Sequence, residues 1–217
     1  MPFIDRDDAA RQLARALSAY RGQHPLVLAI PRGAVPMGRL IARELQGELD
    51  LVLVRKLHAP GAPEFAVGAI DESGWAYIAP YAQSAGADEH YLARERHEQL
   101  AELRRRRERY TPGRPALPVA GRIAIVVDDG LATGATMLAA LHAVRERQPS
   151  KLVCAVPVAS AESLALVRPH ADETVCLEVP PFFQAVGQFY RDFLQVEDEE
   201  VIACLQEDPG HAPHRKA

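Results

Sequence analysis

Five short, continuous apolar runs alternate with segments of helical period, and this alternation leaves few architectures open. The runs lie at 26–30 (LVLAI), 49–54 (LDLVLV), 122–127, 151–158 (KLVCAVPV) and 173–179 (ETVCLEV). Between them, Met37, Leu40, Ile41 and Leu45 recur at helical spacing, and 134–147 and 160–168 read as further helices. Strands that are apolar on both faces belong to a sheet covered on both sides. The fold class is therefore α/β: a mostly parallel, twisted sheet flanked by helices. An N-terminal helix carrying Ala10, Leu13, Ala14 and Leu17 is expected to end near Gly22.

The middle of the chain breaks the rhythm. Two strands, 65–70 (FAVGAI) and 75–79 (WAYIA), are joined by Asp71-Glu72-Ser73-Gly74, a hairpin-like turn. Residues 88–110 are strongly charged, with a thin stripe of Leu92, Leu100 and Leu103, and read as an exposed helix. A Pro/Gly-rich connection follows at 111–122. The reading is one domain over 1–206, with an inserted hairpin and charged helix at about 71–118 and a small hood at about 178–195. The polar tail, 207–217, is expected to be disordered.

A chain of 217 residues, 48% hydrophobic and 25% charged, is enough for one well-buried domain. Its net charge of −4 points to neither nucleic acid nor an anionic membrane. The run RRRRER (104–109) is interleaved with or flanked by Glu95, Glu98, Glu102 and Glu108. That pattern favours a solvated helix face with i,i+4 pairs, or a dimer contact, over a nucleic-acid patch. Cys154, Cys176 and Cys204 form no CxxC pair, and the first two sit in apolar runs as small core residues. The N-terminus has acids where a signal peptide carries bases, and no apolar run approaches membrane length. A soluble, cytoplasmic protein is expected.

The segment 126–136, VVDDGLATGAT, carries the chemistry. Two adjacent acids, Asp128 and Asp129, end an apolar run at the carboxyl end of a strand, where ligands of parallel α/β folds gather. Carboxylates accept hydrogen bonds from vicinal hydroxyls, so a ribose diol is their natural partner. Small residues at 132–136 let backbone N–H groups close around an anion. Thr133 and Thr136 add hydroxyls, and the next helix adds the positive end of its dipole. A diol site one turn from a phosphate cradle describes a 5-phosphoribosyl group.

This segment resembles the ribose-phosphate signature of the type I phosphoribosyltransferases: apolar strand, two acids, short spacer, Thr-Gly-x-Thr. The resemblance implies that Asp128 and Asp129 bind the ribose hydroxyls of phosphoribosyl pyrophosphate (PRPP), and that Thr133, Gly134, Ala135 and Thr136 hold its 5′-phosphate. The spacer departs at Gly130, where an aliphatic residue is usual. Ala132 replaces an acid that serves as proton acceptor in several members, which excludes a carboxylate base there. Adenine phosphoribosyltransferases share that Ala, and on this alone a purine-like acceptor is favoured.

The turn Pro31-Arg32-Gly33-Ala34, between a strand and a helix, resembles the family's pyrophosphate loop, with N–H groups of Arg32 and Gly33 toward the leaving group. Lys56 matches the basic residue after the second strand. The loop 58–64 would be a mobile flap, with His58 at the surface and Glu64 the nearest spare carboxylate. In the hood, Phe182 and Phe183 offer faces for stacking a heterocycle. The stretch VGQFYRDF is similar to the C-terminal segment of hypoxanthine-guanine phosphoribosyltransferases, which would bring Arg191 and Asp192 toward pyrophosphate and its metal. Mg²⁺ is the implied cofactor, met by Asp128, Asp129 and Asp192 mostly through PRPP. Across nearly its full length the chain resembles a bacterial phosphoribosyltransferase-like branch whose acceptor is not assigned, and a homodimer is implied. Two other readings stay open: a PRPP or nucleotide sensor without turnover, and a nucleotide phosphoribohydrolase.

Overall fold

The structure, a computed structural model, describes residues 3–206. The expected tail at 207–217 lies outside the described residues. Five parallel strands form the central sheet in the order β2 (Glu48–Leu51), β1 (Leu26–Ala29), β6 (Ile123–Val127), β7 (Lys151–Val158), β8 (Glu173–Glu178). Because side chains alternate along each strand, the sheet divides the core in two. Val27, Ala29, Ile125, Val127, Val153 and Ala155 pack beneath α1 (Arg6–Ala16), α2 (Ala34–Leu45) and α6 (Asp198–Gln206). Leu26, Leu28, Ala124, Val126, Cys154 and Val156 pack against α4 (Ala135–Arg145) and α5 (Ala161–Val167) on the other face.

The run 49–54 is not one strand. β2 ends at Leu51, and the chain leaves the parallel sheet through Val52 and Leu53 to begin β3 (Val54–Ala59). Both linking residues are buried and apolar, so nothing in the pattern marks the switch. β3 pairs antiparallel with β4 (Ala62–Asp71), and β4 with β5 (Ala76–Ile78), giving a separate three-stranded sheet. The segment expected as an irregular flap, 58–64, is the closed end of this β3–β4 hairpin. Its strands pair as far as Ala59 and Ala62. The Glu64 side chain lies outside what the structure describes. The turn after β4 forms where expected: Asp71 Oδ1 accepts hydrogen bonds from Ser73 N (2.8 Å), Ser73 Oγ (2.6 Å) and Trp75 N (3.2 Å).

The charged helix α3 (Glu89–Tyr110) braces β3. Its buried Glu95 accepts from His58 N at 3.1 Å and from Gln99 Nε2 at 3.1 Å, while Arg55 Nε donates to Gln99 Oε1 at 2.8 Å. The arginine run is largely paired within the chain. Arg105 and Arg106 reach Glu102, Arg107 reaches Glu72, and Arg109 reaches Asp198 and Glu199. All three cysteines are free thiols, two buried and Cys176 partly so. No helix among the described residues is long and apolar enough to cross a membrane.

Candidate active site

β6 carries Asp128 and Asp129 just past its end, at the middle of the parallel sheet. A cleft of about 180 Å³ opens there, lined by Lys56, the two acids, residues 130–134, Thr136, Met137 and Val186. The sequence-predicted ribose and phosphate residues and Lys56 therefore converge on one cleft; only Ala135, buried at the head of α4, is not among the lining residues. Its volume is below the roughly 300–1,000 Å³ of pockets that enclose a whole ligand.

The start of α4 is built by backbone constraint. Gly134 sits before α4 at φ +77°, a left-handed conformation that L side chains avoid, and no side chain caps the helix. The first-turn N–H groups therefore have no side-chain cap and sit at the positive end of the helix dipole. The loop before them is pinned from α5. Ser163 Oγ donates to Leu131 O at 3.0 Å, and Leu131 N donates to Val158 O at 2.9 Å. Ser163 is buried, and it is one of the supporting residues that sequence reasoning missed.

Electrostatics separates the two acids. Burial, then repulsion from Asp129, pushes the Asp128 carboxyl well up from its ordinary range, against a hydrogen bond from Asp129 N (2.9 Å) and the charges of Lys56 and Arg6. Asp129 is raised by burial but opposed by Arg6, whose Nε and Nη2 donate to its Oδ2 at 2.9 and 2.8 Å. Arg6 opens α1, and no motif pointed to it. The backbone of Asp129 is held too: Tyr190 Oη donates to its carbonyl at 2.7 Å.

The remaining predicted residues lie around the cleft or away from it. Gly33 backs onto the acid pair so closely that a Cβ there would overlap Asp129 Oδ2. The Arg32 side chain turns aside to Glu197 (3.5 Å) and Asp198 (3.7 Å), so only its backbone stays at the turn. Phe182 is 85% exposed and Phe183 stacks on Phe189 at 5.2 Å; neither lines the cleft. The hood's contribution is instead Val186, whose Cγ1 would lie 2.6 Å from a Cβ on residue 130. That contact explains the glycine in the spacer. Arg191 and Asp192 donate backbone N–H groups to Phe3 O and Ile4 O, both at 2.9 Å, and serve as the strip that ties the hood to the N-terminus.

The phosphoribosyl transferase domain model matches residues 4–194, which takes in every element described except α6. The chain belongs to that family. Two proteins from strains of Mycobacterium tuberculosis, whose names place them provisionally among phosphoribosyl transferases, are each 45% identical over 216 residues. The match takes in 99% of this chain but 48% of theirs, so the chain spans about half the length of these curated relatives. A crystal structure of a Thermus thermophilus protein superposes with a TM-score of 0.80 at 49% identity, covering 95% of this chain and 99% of that one. A Bacillus anthracis hypoxanthine-guanine phosphoribosyltransferase reaches a TM-score of only 0.47 at 13% identity, too remote to carry an acceptor to this phosphoribosyl transferase domain.

Proposed function

We propose that this domain transfers the 5-phosphoribosyl group of PRPP to a nitrogen base and releases pyrophosphate. The observation that supports it most is the single cleft that gathers an acid pair, an uncapped helix N-terminus and a lysine. Those are acceptors for a diol, donors for a phosphate and a cation for a leaving group.

In this reading Asp128 and Asp129 accept hydrogen bonds from the ribose hydroxyls, and N–H groups at 133–136 with the Thr133 and Thr136 hydroxyls hold the 5′-phosphate. Lys56 and the backbone of Arg32 and Gly33 face the pyrophosphate. The C1–O bond breaks with its electron pair leaving on pyrophosphate, a C1–N bond forms on the opposite face, and the nitrogen's proton passes to solvent, since Ala132 offers no carboxylate. The domain's work is to fix the sugar, keep water from its cationic carbon and align the nucleophile.

Mg²⁺ is implied by the family, and the side chains present bear on how it could be held. Among the described residues no three His, Cys, Asp or Glu side chains converge to hold a metal. Magnesium keeps most of its waters and takes one or two carboxylates plus phosphate oxygens. Carriage on PRPP beside Asp128 or Asp129 fits this cleft; Asp192 is not among its lining residues. When bound, the ion neutralises the departing pyrophosphate.

A purine-like acceptor is the first to test, on the strength of Ala132. The sensor reading loses one support, because the arginines that could meet RNA are largely engaged in ion pairs within the chain. The test is pyrophosphate release by the purified protein with Mg·PRPP across purines, pyrimidines and nicotinate-type bases. Base-dependent release is expected. Binding of PRPP with no release for any base would favour the sensor, and products from nucleoside monophosphates alone the hydrolase.

A further inference from the structure

Arg6 is out of place by local rules. A cation at the first residue of a helix opposes the dipole, and its neighbours there, Asp5, Asp7 and Asp8, obey the rule it breaks. Such a local violation needs a tertiary reason. Here the guanidinium reaches across to the acid pair. Nε and Nη2 both donate to Asp129 Oδ2, Nη1 donates to Leu194 O at 2.6 Å, and the Phe193 ring lies 3.8 Å beneath it. The side chains of Arg6 and Asp129 are only 14% and 18% exposed.

We propose that Arg6 is the positioning residue of the ribose site, acting through Asp129 rather than on ligand; the proposal rests on the reading of the cleft given above. Each of the three guanidinium nitrogens is engaged by Asp129 or Leu194, and Arg6 is not among the residues that line the cleft, so it meets the site through Asp129. Both of its contacts to Asp129 fall on Oδ2, and Oδ1 is outside the ion pair. A ribose hydroxyl cannot profitably displace it. Stranding one half of a buried ion pair costs more than one hydroxyl–carboxylate hydrogen bond returns. The pair therefore stays closed, with the Asp129 carboxyl turned one way.

The same ion pair joins three segments that the ligand must meet together. Asp129 belongs to the ribose strand, and Gly33 of the pyrophosphate turn packs directly on Oδ2. Arg6 is anchored by the hood through Leu194 and Phe193, and the N-terminal strip is stitched to the hood by Phe3 N donating to Phe189 O (2.7 Å). A loosened Arg6 frees all three at once.

The test is a double-mutant cycle read by calorimetric titration of Mg·PRPP into the full chain: wild type, Arg6→Gln, Asp129→Asn and the pair combined. Arg6→Gln is expected to weaken binding about 10–100-fold, the usual loss for a residue that orients a ligating group. Combining it with Asp129→Asn should add nothing further, because Arg6 acts only through Asp129. Arg6→Lys should fall between, since lysine keeps the charge and loses the fork. Additive losses, or an Arg6→Gln protein that binds like wild type, would overturn the proposal. Should Arg6→Gln fail to fold, the cycle runs with Arg6→Lys, and additivity or wild-type binding overturns the proposal there too. A wild-type protein that binds no PRPP would instead sink the reading of the cleft itself.

Discussion

Residues 127–136 and the N-terminus-to-hood strip solve the same problem in opposite ways. The first places two acids, a turn and a helix start within ten consecutive residues, so local rules alone bring the carboxylates and the uncapped helix start together. The second assembles Phe3, Arg6, Tyr190, Phe193 and Leu194 from the two ends of the domain, and Arg6 meets Asp129 across 123 positions. In the proposed function the contiguous region supplies the groups that meet ligand. The strip supplies the restraint that keeps one of them in place. The difference teaches that a site's chemistry can be local while its rigidity is not.

The comparison breaks most sharply at Gly33, where the two regions touch. Gly33→Ala would drive a methyl into Asp129 Oδ2, and the carboxylate has no slack because Arg6 holds it. The expected result is rupture of the ion pair, about 3–5 kcal/mol less stability in urea titrations, and loss of PRPP binding. Gly130 sharpens the point from the hood side. Gly130→Ala should cost about 1–3 kcal/mol through overlap with Val186, and Val186→Ala in the same chain should return most of it. A loss that persists in the double variant would show that the hood is not what crowds position 130.

The smallest effect has the opposite sign. Because folding raises the Asp128 pKa, the folded chain holds that proton more tightly than the unfolded one. Its ionisation therefore lowers stability as pH climbs above the ordinary carboxylate value, and the penalty is absent in strong acid. Asp128→Asn should stabilise the ligand-free protein at pH 8 by about 0.5–2 kcal/mol, or a few degrees in Tm. The gain should shrink as pH falls toward the ordinary carboxylate value and vanish in strong acid, as thermal melts across that range would show. The same variant should bind PRPP poorly, a trade of stability for function.

The parallel core is legible in the apolar runs, since strands buried on both faces leave a strong signal. The break at Val52 and Leu53 is invisible there, because both residues are buried and apolar on either side of the switch. At the site, Asp128, Asp129 and residues 132–136 are legible because their spacing is local. Val186 and Ser163 are not, since a valine in an irregular stretch and a serine at a helix start have many ordinary explanations. Phe182 and Phe183 stand outside the cleft, and the hood residue that lines it is Val186. Arg6 does leave a trace, a cation among acids at a helix start, which the dipole rule makes conspicuous.

Calorimetric titration of Mg·PRPP into wild-type protein and into Asp128→Asn/Asp129→Asn tests the central claim most directly. Saturable, one-site binding by the wild type that weakens at least about 100-fold in the double variant is the predicted result, the loss of two charge-assisted hydrogen bonds being worth about that factor or more. Equal affinity in both proteins, or no binding by either, would contradict a ribose-phosphate site in this cleft.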